Sequence, residues 1–145
     1  MSLLSTADQQ QLKDSFAALT RPVHILFFSQ AIGCETCTET QQILREITGL
    51  TDRVVVEEVS LVLDKDRAAG FGVDRVPALV LLAGDDREDT RIRFLGAPEG
   101  WDFLSLVDAV LAAGGANPQD LSPETILKLG DLTEDISLHV FVTPT

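Results

Sequence analysis

The sequence is poor in cysteine and in aromatic residues: it has two cysteines, one tryptophan and no tyrosine among 145 residues. Two cysteines exclude a framework of structural disulfides. No apolar run approaches the ~20 residues that cross a bilayer, and the N-terminus lacks the basic flank and long apolar stretch of a signal peptide. We therefore expect a cytoplasmic protein that has no membrane partner.

Basic residues are also scarce, since 11 Lys and Arg stand against 23 Asp and Glu and leave a formal net charge of −12. This charge would repel a phosphate backbone, so we expect no nucleic-acid partner. We interpret the carboxylates as a solvated surface, because the sequence contains no Asp-x-Asp-x-Asp-Gly calcium loop. The apolar fraction of 45% is typical of a soluble globular protein with one core.

Hydrophobic periodicity predicts alternating helices and strands. Ser5 and Asp8 have the spacing of a capping box, which predicts a helix from Ser5 to Thr20. The apolar run Val23–Ser29 is short and continuous, as in a strand buried on both faces. The later predictions are a helix over 34–48, a strand over 53–63, a short helix over 64–70, a hairpin of 77–83 and 90–95, and a helix over 98–113. This order predicts an α/β fold with helices on both faces of a central mixed sheet of about four strands.

The C-terminal part of the chain repeats the pattern of the N-terminal part, a helix followed by an apolar strand. Residues 116–120 have the composition of a linker, a short helix is predicted after Ser122, and Ile136–Val142 is an apolar run typical of a strand. We interpret this as an internal repeat: a domain over 1–115, then a linker and the truncated start of a second unit over 116–145. An extra strand without its own sheet must dock on the first domain or on another chain, and in the second case the chain forms a homodimer through that strand.

Both cysteines lie in one motif, Cys34-Glu-Thr-Cys37, where the buried strand meets the predicted helix. In a βαβ context this spacing is typical of a redox-active dithiol. The start of a helix stabilises an anion, so we expect a lowered pKa for the Cys34 thiol, which then attacks a disulfide. Cys37, about one turn further, is predicted to resolve the mixed disulfide. Glu35 opposes the thiolate, which favours a reductant or a balanced exchanger.

The cysteine pair has two other interpretations. A buried pair used only for packing is disfavoured by its position at a helix start. A zinc site needs four ligands, and besides the thiols the chain offers only His24 and His139, both in predicted strands. We therefore predict no metal and no cofactor, while a thiolate cluster shared between two chains stays open. We interpret His24 as a core or edge histidine with its hydrogen bonds satisfied, rather than as a catalytic base, and Trp101 as a packing residue of the last helix.

Glu57 and Glu58 interrupt an otherwise apolar predicted strand. A carboxylate near the dithiol can accept the proton of the resolving thiol, which makes each of them a candidate for that role. The sequence does not define the strand register, so it does not tell which of the two faces the dithiol.

The segment Phe71–Pro77, placed between a dithiol motif and an apolar strand, resembles the thioredoxin/glutaredoxin superfamily. The resemblance implies a thioredoxin-like fold in which Pro77 is cis and faces the dithiol. It also implies that the backbone of Val76 pairs with an extended substrate. By composition alone, the Val76–Pro77 bond could equally be trans at the start of a strand.

A second segment, Arg93–Val107, resembles the prokaryotic protein disulfide oxidoreductases that join two thioredoxin folds in tandem, which are glutaredoxin-like proteins. It also resembles the N-terminal domain of the alkyl hydroperoxide reductase flavoprotein subunit. Both families have two thioredoxin units in series, in agreement with the repeat. The flavoprotein's first unit usually lacks the dithiol, so Cys34 and Cys37 favour the oxidoreductases. The second dithiol would follow Thr145, so we expect a partly active fragment.

These features predict a thiol–disulfide oxidoreductase whose partners are protein disulfide substrates and a reductase or another thiol donor. The alternative is a non-catalytic or weakly active interaction domain of a longer redox protein, such as a peroxiredoxin reductase. Glutathione-dependent activity is disfavoured because residues 30–33 offer no Lys or Arg for a glutathione carboxylate, and Arg75 alone could do so.

Overall fold

The computed structural model describes residues 2–116 and 121–143. The predicted linker at 116–120 therefore lies, apart from Ala116, outside the described residues. The elements in chain order are α1 (Thr6–Phe16), β1 (Val23–Ser29), α2 (Cys37–Leu50), β2 (Val54–Ser60), α3 (Lys65–Gly70), β3 (Ala78–Ala83), β4 (Glu88–Leu95), α4 (Trp101–Ala113) and α5 (Pro123–Gly130).

Four strands form one mixed sheet in the order β2-β1-β3-β4. Strand β1 runs parallel to β2 and antiparallel to β3, and β3 and β4 form an antiparallel hairpin. The predicted α/β fold with a mixed four-stranded sheet is confirmed. Because Phe28 lies opposite Ala78 in the antiparallel pair, the end of β1 and the start of β3 meet at one end of the sheet.

Alternate residues of β1 enter two separate cores, one on each face of the sheet. Val23, Ile25 and Phe27 pack among residues of α1, α2 and α4. Leu26 and Phe28 pack on the other face, where α3 contributes Ala68. Strands β1 and β3 are buried on both faces, which explains why their sequences are continuous apolar runs rather than alternating ones.

Two helices are shorter than predicted. The side chain of Ser5 caps α1 by accepting from the Asp8 N–H at 3.2 Å, as predicted, but α1 ends at Phe16. Helix α4 begins after Gly100, whose φ of +58° lies outside helical geometry.

Trp101 is 74% exposed, so its predicted packing role is wrong. The buried stripe of α4 contains Leu106 and Val110, and Trp101 starts the helix on the opposite side.

The helix of the predicted second unit is present as α5, but the predicted strand at Ile136–Val142 is not formed, since residues 132–143 are irregular. The segment forms no backbone ladder with β4, the edge strand of the described sheet, and a strand needs such a ladder for its backbone hydrogen bonds. Leu138, Val140 and Val142 line a shallow cleft beside β4 and the start of α4. Phe141 is 93% exposed. The segment therefore lies against the edge of the sheet without joining it.

Removal of residues 117–145 is expected to change the free energy of unfolding by less than about 1 kcal/mol. The described part of this segment adds no buried residue to the core, and its ion pair with the rest of the chain, Arg91 to Asp135, is exposed. Urea unfolding followed by circular dichroism would compare the two chains. As a reference, Leu81→Ala in the fully buried β3 should cost about 2–5 kcal/mol. A comparable loss on truncation would contradict this prediction.

Candidate functional site

The two cysteines form a disulfide bond just beyond the carboxyl end of β1. Their Cα atoms are 5.5 Å apart, a separation usual for disulfides. Both residues are half-buried, and Cys37 packs against the larger core. The structure therefore describes the oxidised form of the predicted dithiol.

Helix α2 begins at Cys37, three residues later than predicted. Thr36 is the N-cap residue, and its side chain makes no capping hydrogen bond. Cys34 lies in the preceding turn, which starts at Gly33 with a φ of +78°, a conformation that glycine adopts at little cost. The first N–H groups of α2 thus receive no cap from Thr36, and they face the segment that carries the motif.

The charged residues within the motif and in the first turn of α2 are all negative. Glu35 lies inside the motif and Glu39 lies in the first turn of α2, and both are exposed. No Lys or Arg occurs between Gln30 and Leu44. The helix start therefore stabilises a Cys34 thiolate, whereas the carboxylates of Glu35 and Glu39 destabilise it.

The Val76–Pro77 peptide bond is cis, the isomer that the family resemblance implies. Pro77 precedes β3 directly, so it lies at the end of the sheet where β1 leads into the dithiol motif. The fold thus brings the four predicted site residues, Cys34, Cys37, Val76 and Pro77, to one end of the sheet. Whether Val76 and Pro77 bind substrate stays a prediction.

Arg75 forms an ion pair with Asp74, its neighbour in the sequence. Its Nε donates to Asp74 Oδ1 at 2.8 Å, and this hydrogen bond lowers the pKa of the Asp74 carboxyl. Both side chains are exposed. The only cation that the sequence offered for a glutathione carboxylate therefore already has an anionic partner.

The register separates the two adjacent carboxylates of β2. Glu57 lies opposite Leu26, and Glu58 lies opposite Phe27, so their side chains point to opposite faces of the sheet. Glu57 accepts two hydrogen bonds from Arg67, at 2.6 and 3.0 Å, and a longer one from Arg87. Glu57 is thus a structural ion-pair residue on the face away from α2.

Glu58 lies on the face that α2 covers. Its Oε1 accepts from Ser29 Oγ at 2.6 Å, and its Oε2 accepts from Gln41 Nε2 at 3.2 Å. Gln41 is one helical turn beyond Cys37, so this chain of hydrogen bonds links the end of β1 to the helix that carries the second cysteine. Only the register showed that Glu58, rather than Glu57, lies on the dithiol's side of the sheet.

The two histidines do not accompany the cysteines. His24 lies near the start of β1, and its Nδ1 is buried without a hydrogen-bond partner in the described structure. His139 is exposed in the C-terminal segment. Within residues 2–116 and 121–143, no group of three or more metal-ligating side chains is found, and no helix is long and apolar enough to cross a membrane.

The chain has a thioredoxin-like fold with a Cys-x-x-Cys disulfide. Comparison with solved structures supports this fold. The NTD_N/C domain of alkylhydroperoxide reductase AhpF from Enterococcus faecalis is 30% identical, with a TM-score of 0.75 over 83% of this chain. A protein disulfide oxidoreductase from Aeropyrum pernix is 23% identical, with a TM-score of 0.71 over 88% of this chain. A mutant thioredoxin from Halobacterium salinarum is 21% identical, with a TM-score of 0.53 over 75% of this chain and 88% of its own.

The expected resemblance to the thioredoxin superfamily and to the AhpF N-terminal domain is confirmed. The chain spans 57% of the AhpF domain and 55% of the disulfide oxidoreductase, a little over half of each. No protein-family model and no curated protein matches the sequence.

Glu57→Gln is expected to reduce stability at neutral pH by about 0.2–1 kcal/mol, the range for partly exposed ion pairs. The hydrogen bond from Arg67 lowers the pKa of the Glu57 carboxyl below 4.5. Its contribution is therefore complete above the unfolded-state pKa and is lost as the pH falls through the lowered folded-state pKa. Urea midpoints of the variant and the wild type should converge as the pH falls below 4.5. A difference that stays constant as the pH falls would contradict this assignment.

Proposed function

We propose that this chain is a thiol–disulfide oxidoreductase of the glutaredoxin-like protein disulfide oxidoreductase type. The observation that carries the proposal is the Cys34–Cys37 disulfide at the end of a buried strand in a thioredoxin-like fold. The fold that 88% of the chain shares with a protein disulfide oxidoreductase supports it.

The reaction begins from the reduced chain. The Cys34 thiolate attacks one sulfur of a substrate disulfide and forms a mixed disulfide, and the other substrate sulfur leaves as a thiolate that takes up a proton. Cys37 then loses its proton and attacks Cys34 Sγ, which forms the Cys34–Cys37 bond and releases the second substrate sulfur. The substrate gains two electrons, the dithiol loses two, and a thiol donor returns them.

The position of each cysteine favours this division of roles. Cys34 lies in the turn before the N-cap, where an attacking sulfur can be approached without moving the helix. Cys37 is the first residue of α2 and packs against the core, so it is held close to Cys34 while a substrate is attached. The open N–H groups at the start of α2 stabilise the thiolate.

Val76 and Pro77 are proposed to bind the substrate beside the dithiol. The backbone of Val76 would pair with an extended substrate segment, and the Pro77 ring leaves no N–H at that position to bind a thiolate. Their place at the dithiol end of the sheet supports this role.

The partners follow from the reaction. They are protein disulfides and a cytoplasmic reductase or other thiol donor.

Self-association through the segment Ile136–Val142 is part of the same proposal, supported by its exposed apolar side chains. Sedimentation of the full chain against a chain ending at Ala116 tests it, because only the full chain should then form dimers.

One observation favours a second function. The domain of AhpF that resembles this chain at 30% identity belongs to an alkylhydroperoxide reductase, so the chain could serve as an interaction domain of a longer redox protein. In that case the dithiol would be present but would turn over slowly.

The Cys34→Ser and Cys37→Ser variants test the two functions against each other. Reduction of insulin with dithiothreitol should lose its chain-dependent rate entirely in Cys34→Ser, because no attacking thiolate remains. After dithiothreitol is removed, the reduced Cys37→Ser variant should instead accumulate a mixed disulfide with insulin, visible on a non-reducing gel, because the chain has no second thiol to resolve it. Equal insulin rates for wild type and Cys34→Ser would reject catalysis and support the interaction domain.

Glu35→Gln is expected to speed alkylation of Cys34 by iodoacetamide at pH 7 about two- to threefold. Removing a carboxylate beside the sulfur stabilises its thiolate by a few tenths of a kcal/mol, roughly the worth of an exposed charge pair. Glu134→Gln, an exposed carboxylate in the C-terminal segment, is the matched control. An unchanged rate in Glu35→Gln would show that this carboxylate does not act on Cys34.

A further inference from the structure

An apolar cavity of about 360 Å³ lies between the N-terminal segment, helix α2 and the start of α4. Its volume is at the lower end of the range for ligand pockets, which are also mainly apolar with a few polar groups. Its apolar lining residues are Leu3, Leu4, Ile43, Pro98 and Phe103, and its remaining lining residues are Glu39, Gln42, Glu46, Glu99 and Gly100. No local pattern in the sequence predicts this site, because its walls come from three distant parts of the chain.

Three carboxylates line the cavity, and they differ in their partners. Glu46 accepts from Ser2 Oγ at 2.7 Å and from the Leu3 N–H at 2.9 Å, so it holds the N-terminal segment in place. Glu39 and Glu99 take part in none of the ion pairs found within residues 2–116 and 121–143. In the described part of the chain, the cavity therefore combines an apolar interior with two carboxylates that lack a cation.

One wall of the cavity approaches the dithiol end of the sheet, because the Gly96 N–H donates to the Pro77 carbonyl at 2.9 Å and Pro98, two residues later, lines the cavity. Glu39 is only two residues beyond Cys37 on α2, and the cavity continues along the helix as far as Glu46. Seven residues of helix correspond to about 10 Å. A substrate segment in extended conformation covers that length with roughly three residues, so a substrate attached at Cys34 could reach the cavity a few residues from its own cysteine.

We propose that this cavity binds an apolar side chain of the protein substrate, and that a Lys or Arg next to it in the substrate pairs with Glu39 and Glu99. This proposal rests on the oxidoreductase function. It specifies the substrates as proteins that have a basic, apolar segment near the disulfide. Charge complementarity selects this occupant, because two carboxylates that have no cationic partner in the described part of the chain, whose net charge is −12, repel anionic segments. The apolar walls in turn favour an aromatic or aliphatic side chain over a purely basic one.

A peptide without cysteine tests the cavity separately from the redox reaction. The probe is a fluorescein-labelled eight-residue peptide with one Phe between two Arg, and the protein is the full oxidised chain. Fluorescence anisotropy should report saturable binding that weakens as salt is added. A peptide with Glu in place of both Arg should not bind. Absence of binding by the Arg peptide would overturn the proposal.

Charge variants locate the binding. Glu39→Gln together with Glu99→Gln should weaken the binding of the Arg peptide about three- to tenfold, as expected for two ion pairs, one at an exposed and one at a half-buried carboxylate. Asp131→Asn together with Glu134→Gln removes the same charge from the C-terminal segment and should leave binding unchanged. Equal affinities in the two double variants would overturn the proposal, because binding would then depend on net charge alone.

An apolar pair of variants tests the other half of the site. Leu3→Ser removes part of the cavity wall at an exposed position, and Leu63→Ser is a matched change at an exposed leucine that does not line the cavity. Only Leu3→Ser should weaken binding. Insulin reduction by the unmodified chain separates the two proposals: insulin reduction without binding of the Arg peptide rejects the cavity alone, and peptide binding without Cys34-dependent reduction rejects the oxidoreductase alone.

Discussion

The burial of β1 between β2 and β3 is the constraint on which the rest of the structure depends. This strand is paired along both edges and contributes side chains to both cores. Its carboxyl end is therefore held in one place, and the turn at Gly33 leads from there into the disulfide. Because β3 is antiparallel to β1, the same pairing also brings Pro77 to that end. A rigid sheet end thus carries both the reacting sulfurs and the proposed substrate contact.

The sheet also separates chemical roles by face. Glu57 and Glu58 are neighbours in sequence, yet one is paired with Arg67 beside the smaller core and the other bonds to Ser29 and Gln41 beneath α2. In a strand, adjacent residues lie on opposite faces, so two identical side chains acquire different environments. The carboxylate that contributes an ion pair to the fold is therefore distinct from the one that lies near the dithiol helix.

The excess of negative charge on the chain extends to the sequence around the dithiol. The chain carries a net charge of −12, and its dithiol has Glu35 and Glu39 as close neighbours with no cation nearby in sequence. Such surroundings work against a very acidic thiol and against anionic substrates, while they attract basic protein segments. Glu39 and Glu99 of the apolar cavity beside α2, which have no ion-pair partner among the described residues, extend the same preference away from the sulfurs.

Local patterns in the sequence determined β1, whose apolar run matches the strand Val23–Ser29 residue for residue, and they placed the dithiol at the end of that strand. The family resemblance added the cis bond before Pro77. Tertiary structure alone decided the exposure of Trp101, the lack of a strand at Ile136–Val142, and the cavity formed by distant segments. The periodicity of apolar residues shows which side of a helix or strand is apolar, because it depends only on residues that are close together in the sequence. Strand pairing, register and cavities depend on contacts between residues far apart in sequence, and those contacts exist only once the chain has folded.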